Sequence, residues 1–152
     1  MTDRRATPAA ALTAIGAACV VLGGLVAAVS GPLHLALGSW TAAYLVLVAG
    51  VAQYAMGRAR ARRPRTGRRM PWAWAQVGAW NAGNALVIGG SLAGIPWLVD
   101  VGSVLLLAAL VIAFRATWLA SVPRWVEAAY RVFLVLLAIS TVVGVAIAHL
   151  RA

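Results

Sequence analysis

Five long apolar runs organise the chain, and short breaker segments separate most of them. The runs cover 8–29, 33–56, 72–92, 97–117 and 125–150. Ser30-Gly31-Pro32 parts the first two, Gly94-Ile95-Pro96 the third and fourth, and Ser121-Val122-Pro123 the last two. A helix needs about 20 mostly apolar residues to cross about 30 Å of hydrocarbon, and each run meets that length. The runs are continuous rather than alternating, and a membrane strand needs only about 10 residues. In lipid, only helices and closed barrels satisfy every backbone group. The pattern predicts an all-α membrane protein: one transmembrane domain over 1–152, a bundle of five transmembrane helices. Pro8 stands near the start of the first run, where a missing N–H is harmless.

Composition supports lipid as the solvent. Hydrophobic residues make up 63% of the chain and charged residues 11%, against roughly a quarter charged in soluble domains. A water-soluble fold of 152 residues could not hide that much apolar surface. All 13 basic residues are Arg. The bias to Ala, Val, Gly and Arg without Lys suggests a GC-rich bacterial genome, and so a multi-pass protein of the bacterial plasma (inner) membrane. The net charge of +10 could point to nucleic acid. However, seven Arg (58, 60, 62, 63, 65, 68 and 69) crowd the connection 57–71 between two apolar runs, and the positive-inside rule accounts for them without a nucleic-acid partner. Arg4 and Arg5, that loop, and Arg115 with Arg124 are separated by two runs each. All three groups therefore fall on one side, the cytoplasm, which puts the N-terminus inside and the C-terminus outside. Trp72, Trp74, Trp118, Trp125 and Tyr130 fall at the inner interface and Trp97 at the outer one.

The single cysteine, Cys19, excludes internal disulfides and cysteine-based metal sites. The apolar run continues past it to Val29, which fits a retained span better than a cleaved signal. Glu127 and Arg131 stand four apart in the favourable order for a helical ion pair. Small residues recur every four positions at Gly23/Ala27, Gly24/Ala28, Gly90/Gly94 and Ser140/Gly144/Ala148, a spacing that lets helix backbones approach. An odd number of spans argues against a simple inverted-repeat transporter within one chain.

Polar groups within lipid are the natural functional candidates. His34, Asp100 and His149 open the second run, open the fourth and close the fifth, so topology places them at one level near the outer face. Imidazole ligates haem iron or copper, and a carboxylate can orient it or join it on a metal. Helix ends meeting headgroups and water explain the same residues more simply. On the third run Asn81, Asn84 and Ser91 fall within about 80° of one another at 100° per residue. These could bond to neighbouring helices, or meet the polar edge of a cofactor or a quinone headgroup. Gln53 and Gln76 lie near one another in depth, close to the inner ends of the second and third spans. Thr41 is expected to share the face of His34, nearly two turns on, with Trp40 and Tyr44 beside it. No nucleophile–base–acid set, paired carboxylates, phosphate-binding loop or His-Glu-x-x-His occurs.

The stretch His34-Leu-Ala-Leu-Gly38-Ser-Trp40 followed by Gly50-Val-Ala-Gln53-Tyr54, with Trp80-Asn81-Ala-Gly83-Asn84 through Gly89-Gly90, resembles small bacterial membrane proteins similar to haem-copper oxidase subunit I and the nitric-oxide-response membrane proteins. The likeness spans about 33–117. It implies haem b or copper held through His34. The several histidines of a full haem-copper centre are missing, so the resemblance implies at most one haem or metal ion, bound by His34 with His149, and no oxygen or NO reduction.

Three functions follow as expectations. The first is an accessory or assembly subunit of a larger, plausibly respiratory membrane complex, with other membrane subunits or further copies of itself as partners. The second is a haem- or metal-binding redox protein using His34 and His149. The third is a homo-oligomeric small-molecule transporter or channel lined by Asn81 and Asn84. Independent catalytic activity is not expected.

Overall fold

The computed structural model describes residues 7–62, 71–115 and 123–150. Five helices fill these segments: α1 Pro8–Ser30, α2 Gly38–Ala61, α3 Pro71–Ala93, α4 Pro96–Arg115 and α5 Arg124–Leu150. Among the described residues there is no strand. α1, α2, α4 and α5 are each long and apolar enough to cross a membrane. α3 has 23 residues and so the length, but Gln76, Asn81 and Asn84 dilute its apolarity. Arg4, Arg5, most of the basic loop, Trp118 and the Ser121-Val122 break lie outside the described residues. The chain forms two compact units, Met1–Arg62 and Arg63–Ala152.

The first unit is an antiparallel hairpin of α1 and α2. Thr7 caps α1, its hydroxyl accepting from the Ala10 N–H at 3.2 Å, with Pro8 in the first turn. The two helices meet backbone to backbone. A Cβ on Gly16 would stand 2.6 Å from the Tyr54 nitrogen, and one on Gly23 would stand 3.0 Å from the Ala42 carbonyl oxygen. From the other side, a Cβ on Gly57 would stand 2.7 Å from the Thr13 nitrogen. Gly16 and Gly23, like Gly50 and Gly57, are seven residues apart. The contact therefore recurs about every two turns on one face of each helix. Between apolar helices in lipid there is no hydrophobic drive, so close van der Waals approach through small residues carries the association. The middle of α2, Leu45–Ala52, is wound as a π-helix, which apolarity along the chain did not signal.

The second span is displaced from its expected bounds. The run 33–56 predicts a helix from residue 33, yet α2 begins at Gly38 and continues to Ala61. His34 has a φ of +49°, which no right-handed helix accepts. The segment 31–37 folds into successive turns instead: the Leu33 N–H donates to Val29 O, His34 to Gly31 O, Leu35 to Ser30 O and Gly38 to Leu35 O, all at 3.0–3.1 Å. Apolarity does not distinguish an apolar turn from an apolar helix. At the far end, Arg58 and Arg60 lie in the last turn of α2. Arg is a strong helix former, and its charge suits a helix C-terminus, so the helix runs on into the polar sequence.

In the second unit α3 and α4 form a tight hairpin. Gly94, at φ +66°, follows the end of α3, and the Ile95 N–H donates to Gly90 O at 2.8 Å. This is a glycine-terminated C-cap in which the amide beyond the glycine returns to the last turn. Pro96 then opens α4. A Cβ on Gly83 would lie 2.8 Å from Gly102 O, and one on Gly102 would lie 2.7 Å from Gly83 O, so these two glycines face each other across the hairpin. α5 packs on α4 far more sparsely. Of its 27 residues only Leu134 is buried, against seven in α4.

Replacing Gly83 by Val should destabilise the α3–α4 hairpin by the overpacking cost of about 1–3 kcal/mol, because the nearest obstruction is the Gly102 carbonyl, with the buried Leu106 side chain beside it. Gly78 lies on the same helix with nothing near its would-be Cβ. Gly78→Ala should be neutral or add about 0.5–1 kcal/mol. Thermal melts of both variants in detergent check the contrast.

Candidate functional site

The second unit brings together two of the three expected outer residues. His149, in the last turn of α5, directs Nε2 at both carboxylate oxygens of Asp100, in the first turns of α4, at 2.9 and 3.1 Å. The partners are 49 residues apart in sequence. Both side chains are substantially exposed, His149 at 54% and Asp100 at 41%. An exposed pair of this kind contributes about 0–1 kcal/mol. A protonated His149 also suits the C-terminal end of its helix. Toward its other end, α5 carries the expected Arg131–Glu127 ion pair, and the Arg131 guanidinium lies 5.9 Å from the centroid of Phe114 on α4. A carboxylate–imidazole contact near one end and a cation–π contact toward the other thus flank a helix that buries a single residue in between.

His34 belongs to the first unit. It lies in the exposed turn before α2, not on the helix, so it does not share a helical face with Thr41 as expected. The Thr41 hydroxyl donates to Leu37 O at 2.9 Å. Among the described residues no three His, Cys, Asp or Glu side chains are grouped to hold a metal ion, so Asp100 and His149 stand as a two-residue pair. They also have no hydroxyl or thiol partner among the described residues, so the pair has no nucleophile to activate. For a haem the fit is poor: both histidines are exposed, neither sits in a buried cradle, and Asp100 engages the Nε2 of His149.

In the polar stripe of α3, both asparagines donate a hydrogen bond to their own helix. The Asn81 Nδ2 donates to Val77 O, and that of Asn84 donates to Trp80 O, each at 2.8 Å. Asn84 and Trp80 are buried, whereas Asn81 and Ser91 are partly exposed. The Asn84 Oδ1 and the Trp80 indole N–H are buried without a hydrogen-bond partner. They are one helical turn apart, an acceptor and a donor on one face. The sequence singled out Asn84 as a polar candidate, while Trp80 entered only within the stretch that carries the resemblance. The four-residue spacing was the available signal. Gln53 and Gln76 are both fully buried. Tyr44, immediately before the π-helical stretch, has a buried hydroxyl without a partner and packs its ring 5.3 Å from that of Trp40.

No protein family, curated protein or solved structure matches the chain.

Replacing Asn84 by Leu removes the orphaned oxygen together with the bond to Trp80 O. A buried unsatisfied polar atom costs about 1–3 kcal/mol, and a net hydrogen bond contributes about 1. Asn84→Leu is therefore expected to melt at or above the parent temperature in detergent. A clear drop would reveal a partner on Oδ1.

Proposed function

We propose that the chain is a five-span accessory or assembly subunit of a larger membrane complex, plausibly respiratory, and that it docks through α5. The observation that carries this reading is the sparse packing of α5: 27 residues, hydrophobic throughout its middle, with Leu134 alone buried. Ser140 and Gly144 are exposed near the middle of that helix, and a Cβ on Gly144 would meet nothing within 4 Å. At Gly16, Gly23, Gly83 and Gly102, by contrast, the same kind of small position is filled by another helix backbone. Apart from Leu134, the most covered positions of α5, among them Phe133, Leu137, Thr141 and Val145, are only half-buried, and a helix with so much open surface suits a subunit whose lateral partner is another chain.

The distribution of Arg supports an N-terminus in the cytoplasm and a C-terminus outside, in a bacterial inner membrane. A haem-binding role through His34 and His149 draws less support, because both imidazoles are exposed. A transport path along Asn81 and Asn84 is likewise disfavoured by amides bonded to their own helix.

Purification from native membranes in mild detergent should bring down at least one other membrane protein in fixed proportion. Gly144→Leu should lose that partner while leaving the melting temperature of the isolated chain unchanged. Recovery of the chain alone, or only as copies of itself, would contradict the proposal.

A further inference from the structure

The connection between α1 and α2 has an unusual composition for a loop. Residues 31–37 read Gly-Pro-Leu-His-Leu-Ala-Leu, and every one of them is exposed. Leu33 is 64% exposed, Leu35 45% and Leu37 38%, and Trp40 follows in the first turn of α2 at 37%. Three exposed leucines on a seven-residue connection, with an exposed tryptophan just beyond it, would be a poor surface to hold in water. No charged residue occurs anywhere from Pro8 to Gly57.

The backbone of this segment is prepared for a medium poorer in hydrogen bonds than water. Leu33, His34, Leu35 and Gly38 all donate their N–H groups to carbonyls of the same turn or of the end of α1, and Pro32 has no N–H. The Ser30 hydroxyl closes onto Val26 O at 2.5 Å. Exposed loops in water commonly leave part of such groups to the solvent. A loop that enters the edge of a bilayer must satisfy them internally. The turn bonds three of its own N–H groups inward, those of Leu33, His34 and Leu35, with His34 at φ +49°, a conformation for which His is among the more tolerant residues.

Depth agrees. Gly38 and Arg58, the first charged residue of α2, are 20 positions apart, about 30 Å at the α-helical rise and somewhat less through the π-wound stretch, close to the thickness of the hydrocarbon core. With Arg58 at one headgroup layer, the turn stands at the other. There Trp is the characteristic anchor, and an imidazole can reach the headgroups from an apolar body.

We propose that the 31–37 turn is a lipid-binding element: Leu33, Leu35 and Leu37 insert among the acyl chains just beneath the headgroups, Trp40 marks the boundary, and His34 faces the headgroup layer. The partner is the bilayer surface itself rather than a soluble protein. The element anchors the α1–α2 hairpin at a fixed depth. The inference rests on the membrane-spanning reading of α1 and α2 and is independent of what α5 docks against.

The test uses the full chain with Cys19→Ala, reconstituted in phosphatidylcholine vesicles without other proteins. Single cysteines at Leu33→Cys, at Leu35→Cys and, as a reference in mid-span, at Val21→Cys carry an environment-sensitive fluorophore. Lipids brominated near the headgroup, lipids brominated near the chain ends, and iodide on both sides of the bilayer serve as quenchers. The proposal expects blue-shifted emission at 33 and 35, strongest loss with the shallow bromines, and little loss with iodide. Val21→Cys should instead respond most to the deep bromines. Red-shifted, iodide-quenched probes at 33 and 35 beside a lipid-quenched Val21 probe would overturn the turn's lipid contact and leave the membrane span standing. A Val21 probe quenched by iodide and untouched by either lipid would overturn both. Leu33 and Leu35 are exposed, so neither labelled variant disturbs packing, and agreement of the two positions is required.

Discussion

Lipid withholds two things that water supplies, and the architecture answers to both. It offers no hydrogen bonds to an open backbone, so the described chain is helix and internally bonded turn. It also gives apolar helices no reason to associate merely because they are apolar. What remains to hold α1 to α2, and α3 to α4, is close approach. That approach is made at glycines: Gly16 and Gly23 against α2, Gly57 against α1, and Gly83 with Gly102 carbonyl to would-be Cβ. Each hairpin brings two backbones into contact at its glycines, with large side chains such as Leu12 and Met56 in one and Trp80 and Leu106 in the other buried.

The same constraint shapes the polar groups. Thr13, Ser30, Thr41 and Thr141 return their hydroxyls to carbonyls four residues earlier, and Asn81 and Asn84 do the same with their amides. Polar side chains within a helix thus cost little without a partner on another helix. Groups that cannot fold back in this way stand out, namely the Trp80 indole, the Asn84 oxygen and the Tyr44 hydroxyl. Gly144, the glycine of α5, faces open space, and the links of α5 to α4 include Asp100–His149 and Phe114–Arg131. A helix attached in this way is suited to exchanging lipid for a partner, which is the physical basis of the subunit reading.

Helix class and extent were largely legible from the runs and their breakers. α1, α3, α4 and α5 begin and end within two residues of the apolar boundaries. α2 was not, because both of its ends depend on more than apolarity. The turn at His34 is as apolar as a helix, and the Arg-rich extension to Ala61 is polar yet helical. The pairing of Asp100 with His149 was foreshadowed by topology alone, since alternating spans return the start of α4 and the end of α5 to one face. Placing His34 on a helical face failed with the helix start on which it relied. The Trp80–Asn84 donor and acceptor went unseen because an indole in an apolar run reads as bulk, and its lone N–H becomes costly only once it is buried. The π-helical winding of Leu45–Ala52 has no signature in residue type that we can identify.

The five-span subunit reading depends on how many times the chain crosses the bilayer, and α3, with its buried Asn84 and Gln76, is the helix on which that number turns. The most direct test is the sidedness of the two ends, read with reporters fused ahead of Pro8 and after Leu150 in intact cells. Five crossings place the first reporter in the cytoplasm and the second outside. Both reporters on one side would mean that α3 does not traverse the membrane, and the account would fail.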